Sequence, residues 1–317
     1  MTLLLSRRDV AALMDSEAWL EAVEAGFRAL AEGRARAPSP MAIHGWGGTF
    51  HAKGASLALG RRYVALKLNG NFPGNPARHG LPTIQGAILL CDGENGALLA
   101  IIDSIEVTLR RTAAATALAA KFLARADSAT ILVCGCGAQA AAQLEALRAV
   151  LPLRRFYAWD RDAARAQAFA RSHGLEAVAD LRACDVIVAC TTARSPYLGP
   201  GAVRPGTFVA AVGADSPDKS EVEPAVMRNA LVVADVLAQC AAMGDLRHAL
   251  AAGAMRREDV HAELHELVAG TRAGRTSDDQ VTVFDSTGTA VQDVAAAAFV
   301  YERACRSAGF AAVDLAA

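Results

Sequence analysis

The sequence predicts an α/β protein with two domains: a Rossmann-type, doubly wound parallel sheet and a second α/β domain. Three observations support this. The chain has 317 residues and a mass of 33.0 kDa, which exceeds one ordinary core. From about residue 130 onward, apolar strand-like runs alternate with helical stretches, the pattern of a parallel sheet. A glycine-rich turn at 135–140 lies between one such strand and the next helix.

The first domain begins with helical periodicity over about 30 residues, which predicts helix throughout that stretch. Short alternating runs between about 38 and 70 then predict antiparallel strands. After the turn-rich stretch NGNFPGNPARHG, the runs TIQGAILLCD and LLAIID flank a DGENG turn and predict a hairpin.

The Ala-rich stretch RTAAATALAAKFLARAD predicts a helix that leads into the second domain. The predicted parallel strands there are ATILVCG, RRFYAWD, VIVACTT, TFVAAVG and ALVVAD. The last helix, DVAAAAFVYERACRSAG, is expected to return to the first domain. We therefore expect one domain at 1–113, completed by 292–317, and another at 114–291.

Composition and charge exclude several classes of protein. Lys and Arg number 32 and Asp and Glu 33, for a net charge of −1; without a basic excess we expect no nucleic-acid partner. No apolar run reaches the roughly 18 residues of a membrane helix, and the first residues lack a signal-peptide pattern. Seven irregularly spaced cysteines argue against a disulfide framework. We therefore expect a cytoplasmic protein without a membrane partner.

The glycine-rich turn has the form G-x-G-x-x-A, with Gly135, Gly137 and Ala140 at the small positions. In this strand–turn–helix context the first glycine permits the tight turn, and the second lets the backbone approach a pyrophosphate. The small third residue lets helix and strand pack closely. The phosphates are expected at the helix N-terminus. The motif predicts a bound dinucleotide, and its alternative is a glycine turn that binds nothing.

Asp160 ends the next predicted strand, 25 positions after Gly135. A carboxylate there accepts a hydrogen bond from the adenosine 2′-hydroxyl and repels a 2′-phosphate, which favours NAD over NADP. Arg161 works against this preference, because a guanidinium can bind the 2′-phosphate of NADP. NADP therefore remains an alternative cofactor.

Three ionisable residues have two interpretations each. Lys67 lies in the alternating run VALKLNG, where a solvated strand face is the more common place for lysine than a pocket. Arg111 either is solvated at the start of a helix or directs its forked donors at a carboxylate. Asp215 follows a predicted strand of the second domain and either serves a ligand or caps a turn.

The sequence predicts no metal site. His261 and His265 form HAELH, which differs from the metal-binding H-E-x-x-H and H-x-x-E-H patterns. We expect these histidines on a solvated helix face.

Several segments in order resemble the ornithine cyclodeaminase/μ-crystallin family. The resemblance runs from about Leu66 to Asp293, through LKLNGNFPGN, GLPTIQG, LLAIIDS, LRRTAAATALAA, GCGAQA, FVAAVGADSPDKSEV and GRTSDDQVTVFDSTG. It implies a Rossmann domain that binds NAD or NADP. It also implies a second α/β domain that binds substrate and forms a homodimer.

The resemblance also implies roles for single residues. Asp215 matches the family's acid/base residue, and Lys67 and Arg111 fall at the substrate carboxylate or the reacting nitrogen. The positions implied at the cofactor are Thr83, Arg111, Gly135, Gly137, Ala138, Gln139, Asp160, Arg161, Thr191, Thr192, Gly213, Lys219 and Ser286.

One region departs from the family. Cyclodeaminases carry an arginine upstream of Lys67 that clamps the substrate carboxylate, followed by an acidic residue. Between Pro40 and Gly60 this sequence has neither Arg nor Glu, and its polar candidates are His44, His51 and Lys53. His51 and Lys53 share a strand face and either replace the clamp or are solvated. The distal ammonium of ornithine thus lacks an obvious acidic partner.

The resemblance implies hydride transfer at the carbon of a C–N bond. The first hypothesis is a net oxidoreductase, either an imino-acid reductase or an amino-acid dehydrogenase, acting on a small amino or imino acid. The second is a redox-neutral ornithine cyclodeaminase that forms proline and ammonia with bound NAD. The third is a binding protein for NAD(P)H or a small ligand without catalysis. The missing arginine and acid favour the first.

Overall fold

The computed structural model describes residues 1–315 and divides into two compact units. Unit 1 contains residues 1–111 and the chain from Thr289 onward, and unit 2 contains residues 112–288. The predicted combination of a Rossmann-type sheet with a second α/β unit is confirmed. Within residues 1–315, no helix is long and apolar enough to cross a membrane.

Unit 1 is built on one mixed sheet. Its strands are β1 (Thr2–Leu5), β2 (Ala35–Arg36), β3 (Met41–Gly45), β4 (Gly48–Leu59), β5 (Arg61–Asn71), β6 (Ile84–Asp92), β7 (Leu98–Asp103) and, near the C-terminus, β16 (Ala311–Val313). Their order is β16-β1-β7-β6-β5-β4-β2, with β3 paired to β4. β1 runs parallel to β7, and the other pairs are antiparallel.

The first, second and last helices of unit 1 pack on this sheet. The helices of this unit are α1 (Arg7–Leu13), α2 (Ser16–Ala31), α3 (Asn75–His79), the first part of α4 (Ser104–Leu123) and α11 (Ala290–Cys305). Helix α11 packs on β4, β5 and α2. A Cβ on Gly26 of α2 would lie 2.9 Å from the Ala295 Cβ of α11, so glycine is needed for this close crossing.

The expectation of helix from the first residue is wrong for residues 2–5. These residues form β1, which pairs with β7, and a capping box between Ser6 and Asp9 begins α1 directly afterwards. A four-residue apolar run has no periodicity of its own, so only its pairing partner reveals the strand.

Unit 2 is a fully parallel sheet with helices between its strands. The strands are β8 (Thr130–Cys134), β9 (Arg155–Trp159), β10 (Glu176–Ala177), β11 (Val186–Ala189), β12 (Phe208–Ala211), β13 (Leu231–Ala234), β14 (Ala262–Glu263) and β15 (Thr282–Asp285). The helices are α5 (Ala138–Val150), α6 (Ala163–His173), α7 (Pro224–Arg228), α8 (Leu237–Met243), α9 (Asp245–Ala251) and α10 (Leu264–Val268).

The strand order of unit 2 is β10-β9-β8-β11-β12-β15-β13-β14. The chain leaves β8 toward β9 on one side and later returns to β11 on the other. The order therefore reverses between β8 and β11, and ligands of such sheets bind at the carboxyl ends of the strands beside this reversal. The residues that follow β8, β9, β11 and β12 consequently gather at one edge of unit 2.

Candidate functional site

A buried ion cluster lies between the sheet and the helices of unit 1. The Lys67 Nζ lies 2.6 Å from Asp293 Oδ2, and the Arg111 Nε donates to Asp293 Oδ1 at 2.9 Å. Arg111 also donates to the Gln292 side-chain oxygen at 2.8 Å, and Lys67 reaches the Thr108 hydroxyl at 3.4 Å. Lys67 and Arg111 are each 4% exposed and Asp293 is 1% exposed. One carboxylate therefore holds two cations in place.

The cluster joins three segments that are distant in sequence. Lys67 lies on the β5 face that also buries Tyr63 and Ala65, because alternate residues of a strand share a face. Arg111 comes from α4, and Asp293 from the first turn of α11. Periodicity alone favoured a solvated face for Lys67, and that interpretation is wrong because α11 covers this face.

Burial sets the protonation of the cluster. It lowers the pKa of Lys67 to about 7, although the charge of Asp293 opposes the shift and the charges of Arg111 and Lys53 add to it. For Asp293, burial raises the pKa, but the charges of Arg111 and Lys67 outweigh burial and hold the pKa below its usual value. Near neutral pH the carboxylate is charged and Lys67 exchanges a proton.

The candidates upstream of Lys67 lie on the same sheet. Lys53 pairs directly opposite Lys67, and His51 opposite Asn69, and both His51 and Lys53 are half-buried. His44 is exposed, with its ring nitrogen 3.3 Å from a threonine hydroxyl.

Thr83, implied at the cofactor, is a half-buried residue of unit 1 just before β6. Its carbonyl accepts from the Phe72 backbone N–H at 2.7 Å.

The glycine turn of unit 2 follows β8 and packs on the loop after β11. Gly135 has φ +94°, and a Cβ there would lie 2.8 Å from Thr191 Cγ2 and 2.9 Å from the Cys190 carbonyl oxygen. Glycine is therefore required for both its conformation and its surroundings. Gly137 caps α5 without a side-chain bond, and the nearest heavy atom to a Cβ there belongs to Arg165, at 4.0 Å. Ala138 and Gln139 begin the helix.

Asp160 supports this turn. Its Oδ2 accepts from the Cys136 backbone N–H and its Oδ1 from the Asp162 backbone N–H, both at 2.9 Å. A carboxylate has about four acceptor positions, so these bonds leave capacity for a ribose hydroxyl. Arg161 is exposed beside it.

A buried glutamate that the sequence analysis did not single out joins two loops of this edge. Glu221 Oε1 accepts from the Thr191 N–H and hydroxyl at 2.6 and 2.7 Å and from the Tyr197 hydroxyl at 3.0 Å. Its Oε2 accepts from the Gly213 N–H at 2.7 Å. Glu221 thereby ties the loop after β11 to the loop after β12. Burial and the charge of Asp245 raise the pKa of Glu221 to about 7, against the lowering effect of its donors.

The remaining predicted residues of unit 2 are divided between surface and interior. Asp215, with its side chain 55% exposed, forms a 2.5 Å ion pair with Lys219. Ser286 is buried and donates to Asp235 at 3.0 Å, and Thr192 is exposed. The HAELH histidines do not share a helix, because His261 precedes β14 and His265 lies in α10.

The sequence analysis thus identified the glycine turn and Asp160, which bonds to it, but it did not single out Glu221 or Asp293. For Asp293, a signal was present: a single acid opens the otherwise apolar run VAAAAFV, and a charge on an apolar helix face is rarely buried without a partner. For Glu221, in the short segment KSEVEP, no periodicity marks a buried residue.

Known proteins resemble the chain over its whole length. The family model described as "Ornithine cyclodeaminase/mu-crystallin family" matches residues 1–308. An archaeal alanine dehydrogenase dimer with bound NAD is 37% identical and has a TM-score of 0.94, with 99% of each chain covered. The Δ1-pyrroline-2-carboxylate reductase of Thermococcus litoralis, in complex with NADH and L-proline, is 30% identical with a TM-score of 0.93 and coverage of 98% and 100%. The iminosuccinate reductase of Paracoccus denitrificans, in complex with NAD⁺, is 34% identical with a TM-score of 0.88 and coverage of 96% and 97%.

The raised pKa of Glu221 predicts a measurable pH dependence of folding stability. Its carboxyl group binds a proton more tightly in the folded than in the unfolded state, so the free energy of unfolding falls as pH rises from about 4.5 to about 7. Urea unfolding of wild type and Glu221→Gln between these pH values should show a flatter slope in the variant, by up to about 1.4 kcal/mol per pH unit.

Glu258→Gln, an exposed carboxyl in the same unit, is the matched control and should keep the wild-type slope. If the free energy of unfolding changes with pH by the same slope in wild type and Glu221→Gln, Glu221 does not have the raised pKa described above.

Proposed function

Because the chain belongs to the ornithine cyclodeaminase/mu-crystallin family, we propose that it is an NAD-dependent oxidoreductase of small amino or imino acids. The observation that carries the proposal is the Lys67–Asp293–Arg111 cluster of unit 1. It offers cations for a substrate carboxylate and one lysine whose pKa lies near neutral pH. In the favoured direction the enzyme reduces the C=N bond of an imino acid.

The glycine turn of unit 2 fits a dinucleotide. Gly135 permits the turn, the Cβ position of Gly137 is open, and the N-terminus of the 13-residue helix α5 has no side-chain cap. The positive end of this helix suits a pyrophosphate, and Asp160 favours NAD over NADP. The other residues proposed at the cofactor are Thr83, Arg111, Ala138, Gln139, Arg161, Thr191, Thr192, Gly213, Lys219 and Ser286.

When bound, NADH supplies the hydride for the C=N carbon. Arg111 holds the substrate carboxylate, because its planar fork suits a carboxylate geometrically. Asp215 is the general acid/base that supplies one proton, directly or through water, and Lys67 in its ammonium form relays that proton to the imine nitrogen. Asp293 is a positioning residue, since it acts on the substrate through Lys67 and Arg111.

We also propose a homodimer formed through the open face of the unit 1 sheet. This face exposes Val64, Leu66, Leu68 and Leu89 by 42, 46, 43 and 38%, and Leu66 and Leu89 are direct strand partners. Contiguous exposed apolar side chains of this kind mark protein interfaces. We further propose a cytoplasmic location, in keeping with seven unpaired cysteines.

The reaction predicts direct transfer of label from the cofactor. With NADH deuterated at C4, ammonia plus a 2-oxo acid, or a cyclic imino acid, should yield an amino acid deuterated at C2, with one NADH oxidised per product. Mass spectrometry and NADH absorbance measure both quantities.

Two results would contradict this proposal. Proline and ammonia formed from L-ornithine in excess of a trace of added NAD would establish the redox-neutral cyclodeaminase. NADH binding without turnover of any amino or imino acid would indicate a non-catalytic binding protein.

The depressed pKa of Lys67 predicts how activity depends on pH. Since the ammonium form donates the proton, kcat/KM for imine reduction should fall as pH rises through about 7, with the slope of one proton. The arginine in Lys67→Arg stays charged over this pH range. The residual kcat/KM of this variant should therefore not fall near pH 7. If kcat/KM of Lys67→Arg falls near pH 7 as in the wild type, the titrating group is not Lys67.

The proposed interface predicts a change in oligomeric state. Leu66→Glu with Leu68→Glu places charges on the apolar face and should shift the protein from dimer to monomer in sedimentation experiments. Ala12→Glu, on the exposed side of α1, should leave the dimer intact. A wild-type monomer would contradict the proposed dimer.

A further inference from the structure

The first turn of helix α11 begins with an incomplete capping box. Thr289 is the N-cap residue, and its hydroxyl accepts a hydrogen bond from the Gln292 backbone N–H at 3.4 Å. In a complete T-x-x-Q box, the glutamine side chain bonds back to the backbone N–H of the N-cap residue. Of these two bonds, the described residues form only the first. The Gln292 side chain extends to Arg111 of α4 instead.

The bond to Arg111 fixes the orientation of the Gln292 amide. Nη1 of Arg111 donates to the Gln292 Oε1 at 2.8 Å. A guanidinium carries donors only, so the amide oxygen must face it and the amide nitrogen must point elsewhere. That nitrogen is buried and has no hydrogen-bond partner among residues 1–315, which is unfavourable for a buried donor. What Gln292 contributes is therefore its bond to Arg111.

Gln292 and Asp293 hold two different nitrogens of the same guanidinium. The Nε of Arg111 donates to Asp293 Oδ1 at 2.9 Å, and Nη1 donates to Gln292. Two acceptors on two nitrogens fix the plane of this group, since its donors form a rigid fork. Within the described part of the chain, no protein group bonds to the third nitrogen, Nη2. Arg111 thus keeps donors for a ligand.

The two acceptors differ in charge. Asp293 is an ion-pair partner of both Lys67 and Arg111, whereas the amide of Gln292 is neutral. Gln292 therefore orients the guanidinium without cancelling its charge. A second carboxylate at this position would form an ion pair with Arg111 and compete with the carboxylate of a substrate.

We propose that Gln292 is a positioning residue of the substrate site, which orients Arg111 so that Nη2 and the remaining Nη1 hydrogen bind the substrate carboxylate together. This inference rests on the proposed function, in which Arg111 holds that carboxylate. Arg111 would contact the carboxylate before as well as during hydride transfer. The contribution of Gln292 should therefore appear mainly in KM and little in kcat.

The test measures kcat and KM separately for NADH-dependent reduction. The substrates are Δ1-pyrroline-2-carboxylate, and pyruvate or oxaloacetate with excess ammonia, and the fastest of them is used for the variants. Gln292→Leu removes the acceptor and keeps most of the volume. We expect KM to rise at least about tenfold, the range of one hydrogen bond to a charged group, while kcat falls less than about threefold.

Gln292→Glu keeps an oxygen beside Arg111 and adds a negative charge. KM should again rise at least about tenfold, because the new carboxylate pairs with Arg111. The added charge also offsets that of Arg111, which lowers the pKa of Lys67. The pH at which kcat/KM falls should therefore move upward from about 7, a shift that a purely structural role of Gln292 does not predict.

Glu302→Leu is the matched control on the same helix. Glu302 accepts a hydrogen bond from the Tyr63 hydroxyl of β5 at 2.6 Å. This variant also removes a polar bond between α11 and another element of unit 1 but leaves Arg111 and its partners in place. It should keep the wild-type KM and the wild-type pH profile.

Each contrary outcome has a distinct meaning. A wild-type KM in the Gln292 variants would overturn the role of Gln292 and leave the proposed reduction intact. An equal rise of KM in Glu302→Leu would also overturn that role, because loosening of α11 would explain both results. If Gln292→Leu does not fold, the KM and pH profile of Gln292→Glu decide. Absence of NADH oxidation by the wild type with all three substrates would overturn the proposed function, and this inference with it.

Discussion

The arrangement of unit 1 depends on one buried carboxylate. Asp293 lies in the first turn of α11 and holds Lys67 of β5 and Arg111 of α4 at 2.6 and 2.9 Å. Burying any one of these charges alone would be strongly unfavourable, and removing one partner of a buried pair typically costs about 3–5 kcal/mol. The three segments are therefore constrained to one geometry. This is a physical reason why unit 1 includes the chain from Thr289 onward as well as the first 111 residues.

Unit 2 uses a buried acid in a comparable way. Glu221 joins the loops after β11 and β12 through Thr191 and Gly213, and Thr191 in turn packs on Gly135 of the glycine turn. Backbone N–H groups and hydroxyls donate hydrogen bonds to the Glu221 carboxylate, whereas the partners of the Asp293 carboxylate are the cations Lys67 and Arg111.

Local pattern predicted five strands of unit 2 and the glycine turn, but it missed the two-residue strands β10 and β14 and also β15, which lies between β12 and β13 in the sheet. Those five strands are short apolar runs between helices, and the turn at Gly135 has a fixed spacing, so each signal lies within a few residues. Unit 1 was harder because its defining contacts are remote. β1 is recognisable only through its pairing with β7, and the burial of Lys67 depends on a helix more than 200 positions away. Glu221 lies in an irregular segment whose hydrogen bonds appear only in three dimensions. The sequence therefore identified residues with family-specific motifs but not the acids that position them.

The most direct test of the central claim is the effect of Asp293→Asn on catalysis and on cofactor binding, measured in the same preparation. The amide keeps the shape of the side chain and removes the charge that holds Lys67 and Arg111. We predict that kcat/KM for imine reduction falls at least about 100-fold, while NADH binding weakens by a much smaller factor, because the glycine turn belongs to unit 2 and Arg111 is the only displaced side chain that is also proposed at the cofactor. Wild-type kcat/KM in this variant would contradict the account, as would an equal loss of NADH binding.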